Sequence, residues 1–220
     1  MKIILKMFSE TFKNNKELVN YLIKSGVLKS KILIDAFLNI DRKNFVMPEF
    51  INEAYCDHPL PIGENQTISQ PWTVAFMLEL LQPMPGNKVL DIGFGSGWTT
   101  ALLAFVVSKN ADGKVFGIEI NPKVYEFGKK NIEKYNFIEK GIVEIYLMNG
   151  SKGLPQKSPF NRILVSAAAK FIPEELKNQL DNDGILVIPT DDGKIWKITK
   201  ENEKFLEESY DGFVFVPLIE

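Results

Sequence analysis

The stretch Lys88–Val107, KVLDIGFGSGWTTALLAFVV, decides the fold. Val89, Leu90 and Ile92 form a short apolar run of the kind found in a strand buried on both faces. Gly93, Gly95 and Gly97 then break the run. Glycines at that spacing let the backbone turn tightly and let a ligand approach without a side chain in the way. The apolar stretch that follows, from Gly97 to Val107, reads as a helix. A dinucleotide fingerprint requires a third glycine five residues after the first, and a phosphate-cradling Walker loop requires Gly-Lys-Ser/Thr. Here Trp98 occupies the first of those places and the second motif is absent. The loop is therefore a simple tight turn or a seat for a ligand without a pyrophosphate.

Toward the C-terminus the pattern alternates. KVFGIEI (114–120) reads as a strand and PKVYEFGKKNIEKY (122–135) as a helix opened by Pro122. VEIYLM (143–148) and RILVSAA (162–168) read as strands, followed by a short helix, PEELKNQL (173–180), and a strand, GILVIPT (184–190). KIWKITK (194–200), KFLEESY (204–210) and FVFVPL (213–218) read as late strands without long helices between them. The expected fold is α/β and Rossmann-like: a mostly parallel sheet with helices on both faces and an antiparallel finish. In such sheets ligands bind beyond the carboxyl ends of the strands. The site should then be built from Asp91–Gly97, Glu119 and the loops after residues 147 and 165. Glu119 ends the next strand, where a carboxylate can accept both hydroxyls of a ribose; alone, it reads equally as a solvated strand-end charge.

Toward the N-terminus, residues 9–26 read as an amphipathic helix carrying Phe12, Leu18, Val19, Leu22 and Ile23, with Gly26 to end it. Residues 30–39 read as a second helix. Residues 41–70, with Pro48, Pro59, Pro61 and Gly63, look irregular, and a helix starts at Pro71 and runs to Leu81. One domain is expected over 1–220, with 1–70 as a helical extension carrying the active-site loop and 71–220 as the cofactor-binding α/β core.

The composition is globular, with 45% hydrophobic and 25% charged residues, and 16 Phe supply core volume. A net charge of −2 gives no broad attraction to nucleic acid or anionic lipid. Cys56 and His58 are the only residues of their kinds, so an internal disulfide is impossible and a Cys–His zinc site lacks ligands. No metal is expected. The N-terminal MKIILKMFSE lacks a signal-length apolar stretch, and no run approaches a membrane span. These features fit a cytoplasmic protein.

The segment AYCDHPLPIGENQTISQP (54–71), together with VLDIGFGSGW (89–98) and FVFVPL (213–218), resembles the protein-L-isoaspartate O-methyltransferase family. Weaker matches are FVMPEF (45–50), SPFNRILVSAAAKFIP (158–173) and QLDNDGILVIP (179–189). The glycine loop is shared with many S-adenosylmethionine-dependent methyltransferases, whereas PLPIG followed by QTISQP is far more specific. The resemblance implies S-adenosyl-L-methionine as cofactor and methyl transfer to the carboxylate of L-isoaspartyl residues in damaged proteins. The ester then closes to a succinimide that partly reopens to normal aspartate. It implies isoaspartyl-containing peptides and proteins as substrate, no nucleic-acid or membrane partner, and a monomer.

By position, Ser69 is the family's active-site serine. Gln66, Thr67, Ile68 and Ser69 would line the cofactor pocket, with Asp91, Gly93, Gly95, Ser96, Gly97, Glu119, Ile120, Asn149 and Gly150. Asp91 is placed to meet the cofactor's ammonium group directly or through water. Phe213–Pro217 would border the peptide groove. Ser69 also reads as a helix cap, since it lies near the start of the helix at Pro71. Several positions depart from the family pattern: Glu64-Asn65 where small residues are usual, Met148-Asn149-Gly150 in place of Gly-Asp-Gly, and Asn161 in place of Asp. They leave two alternatives open, a relative that methylates another substrate and a cofactor-binding module without catalysis.

Overall fold

The computed structural model describes residues 11–219. The N-terminal apolar patch and the expected first two residues of the opening helix lie outside them. The helices are α1 (Asn15–Lys24), α2 (Lys31–Asn39), α3 (Pro71–Leu81), α4 (Trp98–Val107), α5 (Pro122–Glu133) and α6 (Glu174–Asn178). The strands are β1 (Leu60–Gly63), β2 (Gln66–Ile68), β3 (Lys88–Ile92), β4 (Lys114–Glu119), β5 (Val143–Leu147), β6 (Phe160–Val165), β7 (Leu180–Thr190), β8 (Lys194–Glu201) and β9 (Lys204–Asp211).

Seven strands form one sheet in the order β5-β4-β3-β6-β7-β8-β9. The pairs from β5 to β7 are parallel, and β8 and β9 add antiparallel. Side chains alternate along each strand, so the sheet separates two cores. Val89, Val115, Val143 and Leu164 face one core, which also takes in buried side chains of α1 to α5. Leu90, Ile92, Phe116, Ile118 and Val165 face the other, closed by Leu154 and by Leu176 of α6. Helices thus lie on both faces, but unevenly. The chain runs from β3 outward to β4 and β5, then returns to place β6 on the other side of β3. That reversal opens a crevice beyond the carboxyl end of β3.

Four expectations on local structure change. The opening helix starts at Asn15, behind a cap at Asn14, and leaves Phe12 outside it, and Leu180 belongs to β7 and not to the preceding helix. FVFVPL forms no ladder strand. Pro217 has no amide to donate, and the segment instead makes one parallel bridge, Pro217 with Ala168, beyond the end of β6. There Ala168 N–H donates to Val216 O at 2.7 Å and Leu218 N–H donates to Ala168 O at 2.8 Å. Within the region expected to be irregular, β1 and β2 form an antiparallel hairpin. Its turn residues, Glu64 and Asn65, both have positive φ, 52° and 57°. That left-handed pair suits a two-residue hairpin turn, but Glu-Asn carries a weaker turn signal than Asn-Gly, so the hairpin was hidden.

Candidate active site

The glycine loop leaves β3 and enters α4. Gly93 and Phe94 N–H both donate to Ile118 O, at 2.8 and 3.2 Å, which ties the loop to the end of β4. Gly97 is the tightest point. Its φ is +85°, and a Cβ there would stand 2.7 Å from Ile132 Cγ1 and 2.8 Å from Gly128 O on α5. Trp98, at the place where a dinucleotide loop would carry its last glycine, is an anchor. It is buried, donates from Nε1 to Ile40 O at 3.3 Å, and packs edge-on against Phe37 of α2.

An open cleft lies over this loop. Its floor is Ile92–Ser96 and its far wall Ile118–Asn121, with Gly150 beside them. The near wall is Gln66–Ser69, and Val216–Ile219 close the end. Among the described residues the lining holds one ionisable side chain, Glu119, and no Lys, Arg or His. Nothing there would neutralise a phosphate. A ligand carrying positive charge and ribose hydroxyls suits it.

Glu119 is nearly buried and well engaged. Its Oε1 accepts from Ile120 N–H and Asn121 N–H at 2.8 and 2.9 Å, and its Oε2 accepts from Gly95 N–H at 3.1 Å. An ionised carboxylate offers about four lone-pair positions. One remains free, so a second ribose hydroxyl would have to displace the Gly95 amide.

Ten of the expected site residues line this cleft together: Gln66, Thr67, Ile68, Ser69, Gly93, Gly95, Ser96, Glu119, Ile120 and Gly150. Three do not. Gly97 shapes the turn from behind. Asn149 turns its Oδ1 onto Ser151 N–H at 2.8 Å. Asp91 is fully buried beneath the loop, where its Oδ2 accepts from Thr100 Oγ1 at 2.6 Å and Thr99 Oγ1 at 2.9 Å. Its Oδ1 has no partner. Burial pushes this carboxyl up to about 6, against the two threonine hydroxyls, while Glu119 raises it slightly further. Asp91 therefore reaches the cleft through Thr99, which lines it, and makes no direct approach.

Ser69 lies on the near wall, and its hydroxyl caps nothing. The residue flanking α3 is Gln70, without a side-chain cap. Asp57 caps from a distance instead, its Oδ1 accepting from Trp72 N–H at 2.8 Å. Burial raises the Asp57 carboxyl, opposed by hydrogen bonds from Trp72, Gln70 and Tyr21. The loop is pinned from below by Arg42, whose side chain is fully buried. Nη1 donates to Ala54 O at 2.9 Å and Cys56 O at 3.2 Å; Nη2 donates to His58 O at 3.0 Å and Ser69 O at 3.2 Å. The guanidinium also sits 5.6 Å from the Trp98 ring centre. Sequence reasoning missed Arg42 and Asp57. It also missed Asn121 and Thr99 in the lining. Ser166 begins the loop after residue 165, which was expected to build the site, and it lines the cleft.

The chain is similar to known proteins over most of its length. A family model described as protein-L-isoaspartate(D-aspartate) O-methyltransferase matches residues 13–220. A protein-L-isoaspartate O-methyltransferase from Pyrobaculum islandicum is 42% identical, covering 91% of this chain and 97% of the relative. One from Staphylothermus marinus is 41% identical, covering 94% and 95%. Among solved structures, a Plasmodium falciparum chain described as a protein-L-isoaspartate O-methyltransferase, in complex with S-adenosyl-L-homocysteine, superposes with a TM-score of 0.85. It is 26% identical and covers 94% of this chain and 99% of that one.

Proposed function

The chain belongs to the protein-L-isoaspartate(D-aspartate) O-methyltransferase family, and on that footing we infer that it methylates the carboxylate of L-isoaspartyl residues in damaged proteins. Its cofactor is S-adenosyl-L-methionine. When bound, the cofactor would supply a sulfonium methyl group to a carboxylate oxygen, leaving a neutral methyl ester and S-adenosyl-L-homocysteine.

The observation that carries this reading is the cleft itself, a glycine-floored space with one carboxylate and, among the described residues, no cation, with Ser69 on its wall. Glu119 and the amides around it suit a ribose. The other lining groups are apolar or uncharged, which suits an adenine and a sulfonium more than a phosphate. The chemistry asks for no general base. A carboxylate with a pKa near 4 is ionised at neutral pH, and the cleft offers no His or Cys. What the protein contributes is placement. Orientation alone can lower a barrier by up to about 7–11 kcal/mol in favourable cases. Ser69 would donate to the substrate carboxylate and hold it in line; with no base beside it, it is not a nucleophile.

The test is methyl transfer from labelled S-adenosyl-L-methionine to an isoaspartyl peptide and to its aspartyl twin. Labelling of the first alone is the expected result. Labelling of neither, by protein that still binds S-adenosyl-L-homocysteine, removes this reading.

A further inference from the structure

A second cleft opens beside the first, between the segment Gly212–Val216 and the start of α3. Four residues line both clefts: Thr67, Ser69, Ser166 and Val216. The junction they mark is where an acceptor entering from the second cleft would meet a donor held in the first. Three of the four carry hydroxyls, and none of these hydroxyls has a hydrogen-bond partner among the described residues. Free donors gathered at one junction are suited to an anion.

The hydroxyls differ in their support. Thr67 and Ser69 belong to the hairpin side, a separate piece of chain held on by Arg42. Ser166 belongs to the sheet. It follows β6, and its N–H donates to Ile92 O at 2.9 Å, which extends the β3–β6 pairing by one step. Its Cβ lies 4.0 Å from where a Cβ on Gly93 would stand, so the absence of a side chain at 93 leaves space in front of it. Ser166 thus faces the junction from the rigid wall, beside the glycine loop.

We propose that Ser166 is a second hydroxyl contact for the substrate carboxylate, forming with Ser69 a two-point seat. This rests on the carboxyl-methylation reading above. One hydrogen bond leaves a carboxylate free to swing about its bond to the side chain. Two donors from opposite walls fix its plane and present one oxygen to the donor methyl. Each serine stands one residue past a strand, β6 and β2, but only β6 lies inside the seven-stranded sheet, so Ser166 offers the more firmly held of the two contacts.

The test uses Ser166→Ala and Ser166→Thr in the full chain, with steady-state rates on an isoaspartyl peptide and calorimetric titration of S-adenosyl-L-homocysteine. Loss of a hydrogen bond to a charged group predicts a fall in kcat/KM of about 10- to 100-fold for Ser166→Ala. Cofactor-product affinity and melting temperature should stay at wild-type values, and Ser166→Thr, which keeps the hydroxyl, should recover most of the rate. Wild-type kcat/KM in Ser166→Ala overturns the proposal. So does a loss matched by an equal loss of S-adenosyl-L-homocysteine affinity, which would make Ser166 a support of the glycine loop. Wild-type protein that binds S-adenosyl-L-homocysteine yet leaves the peptide unmethylated removes the reaction and the seat together.

Discussion

Replacing Gly128 by alanine sets two effects against each other. Gly128 is buried in the middle of α5, where alanine is favoured over glycine by about 1 kcal/mol from helix propensity alone. The added Cβ, however, would stand 2.3 Å from Gly95 O and 2.7 Å from Phe94 Cε2. Overpacking of this kind costs about 1–3 kcal/mol. The upper part of that range applies, because the atom in the way is a loop carbonyl and not the free end of a flexible side chain. The net effect is a loss of about 1–2 kcal/mol, or roughly 2–8 °C in melting temperature for a chain of this size. The displaced atom belongs to Gly95, whose amide is bonded to Glu119, so the shift reaches the cofactor cleft. Titration of S-adenosyl-L-homocysteine should show affinity reduced on the order of tenfold, equivalent to about 1.4 kcal/mol. Glu126→Ala, on the exposed side of the same helix, should change neither quantity. A Gly128→Ala protein that melts above wild type and binds the cofactor product equally well would refute the packing argument.

Ser69→Ala should lower turnover on an isoaspartyl peptide while the affinity for S-adenosyl-L-homocysteine and the melting temperature hold, because Asp57 and not Ser69 caps α3; rates at the wild-type level would leave the serine without a role. Glu119→Ala removes an acceptor for three loop amides as well as the proposed ribose contact, and calorimetry should show affinity weakened at least tenfold; unchanged affinity would end the ribose assignment. Asp91→Asn tests the buried carboxyl. Its folded pKa, about 6 against the model-compound 3.8, means that between these values the folded chain holds a proton the unfolded chain has lost, so wild-type stability falls as pH rises through that window and stays lowered above it. At about 1.4 kcal/mol per unit, the stability of Asp91→Asn relative to wild type should rise by up to about 3 kcal/mol from pH 4 to 7.5 in urea titrations, and a flat difference would count against the burial argument.

The sheet was legible because its signals are local. Apolar runs of five or six residues bounded by Gly, Pro or Asn gave β3 to β5 nearly to their ends, and Pro71 and Pro122 marked the starts of α3 and α5, whereas β7 begins at Leu180, four residues before the expected run. The failures came where long-range partners decide. FVFVPL has strand composition, but its partner is Ala168 at a sheet end and not a neighbouring strand along its length. Asp91 looks like a cleft residue from its place before the glycines, yet two threonines on the following helix draw it beneath the loop. Asn149 was expected to line the cofactor pocket, yet its side chain closes its own turn. For Arg42 the sequence held no signal at all. An arginine beside an aspartate near a helix end reads as surface charge, and only the fold shows four carbonyls converging on it.

Arg42 explains what the helical extension contributes to the chemistry. The Ser69 loop is rich in Pro, Gly and uncharged residues and lies outside the main sheet, so its own secondary structure cannot hold a hydroxyl in place. Burial lowers the guanidinium to about 9, still charged at neutral pH, and hydrogen bonds from a charged donor each contribute about 1.5–3 kcal/mol. Four of them fasten the loop at Ala54, Cys56, His58 and Ser69, while the same group lies over Trp98, the first residue of the helix that follows the glycine loop. One side chain from the extension thereby joins the wall that carries Ser69 to the helix that follows the glycine loop. In the proposed reaction, whose barrier is lowered by alignment and not by proton transfer, that joint is where sequence far from the cleft would act on rate.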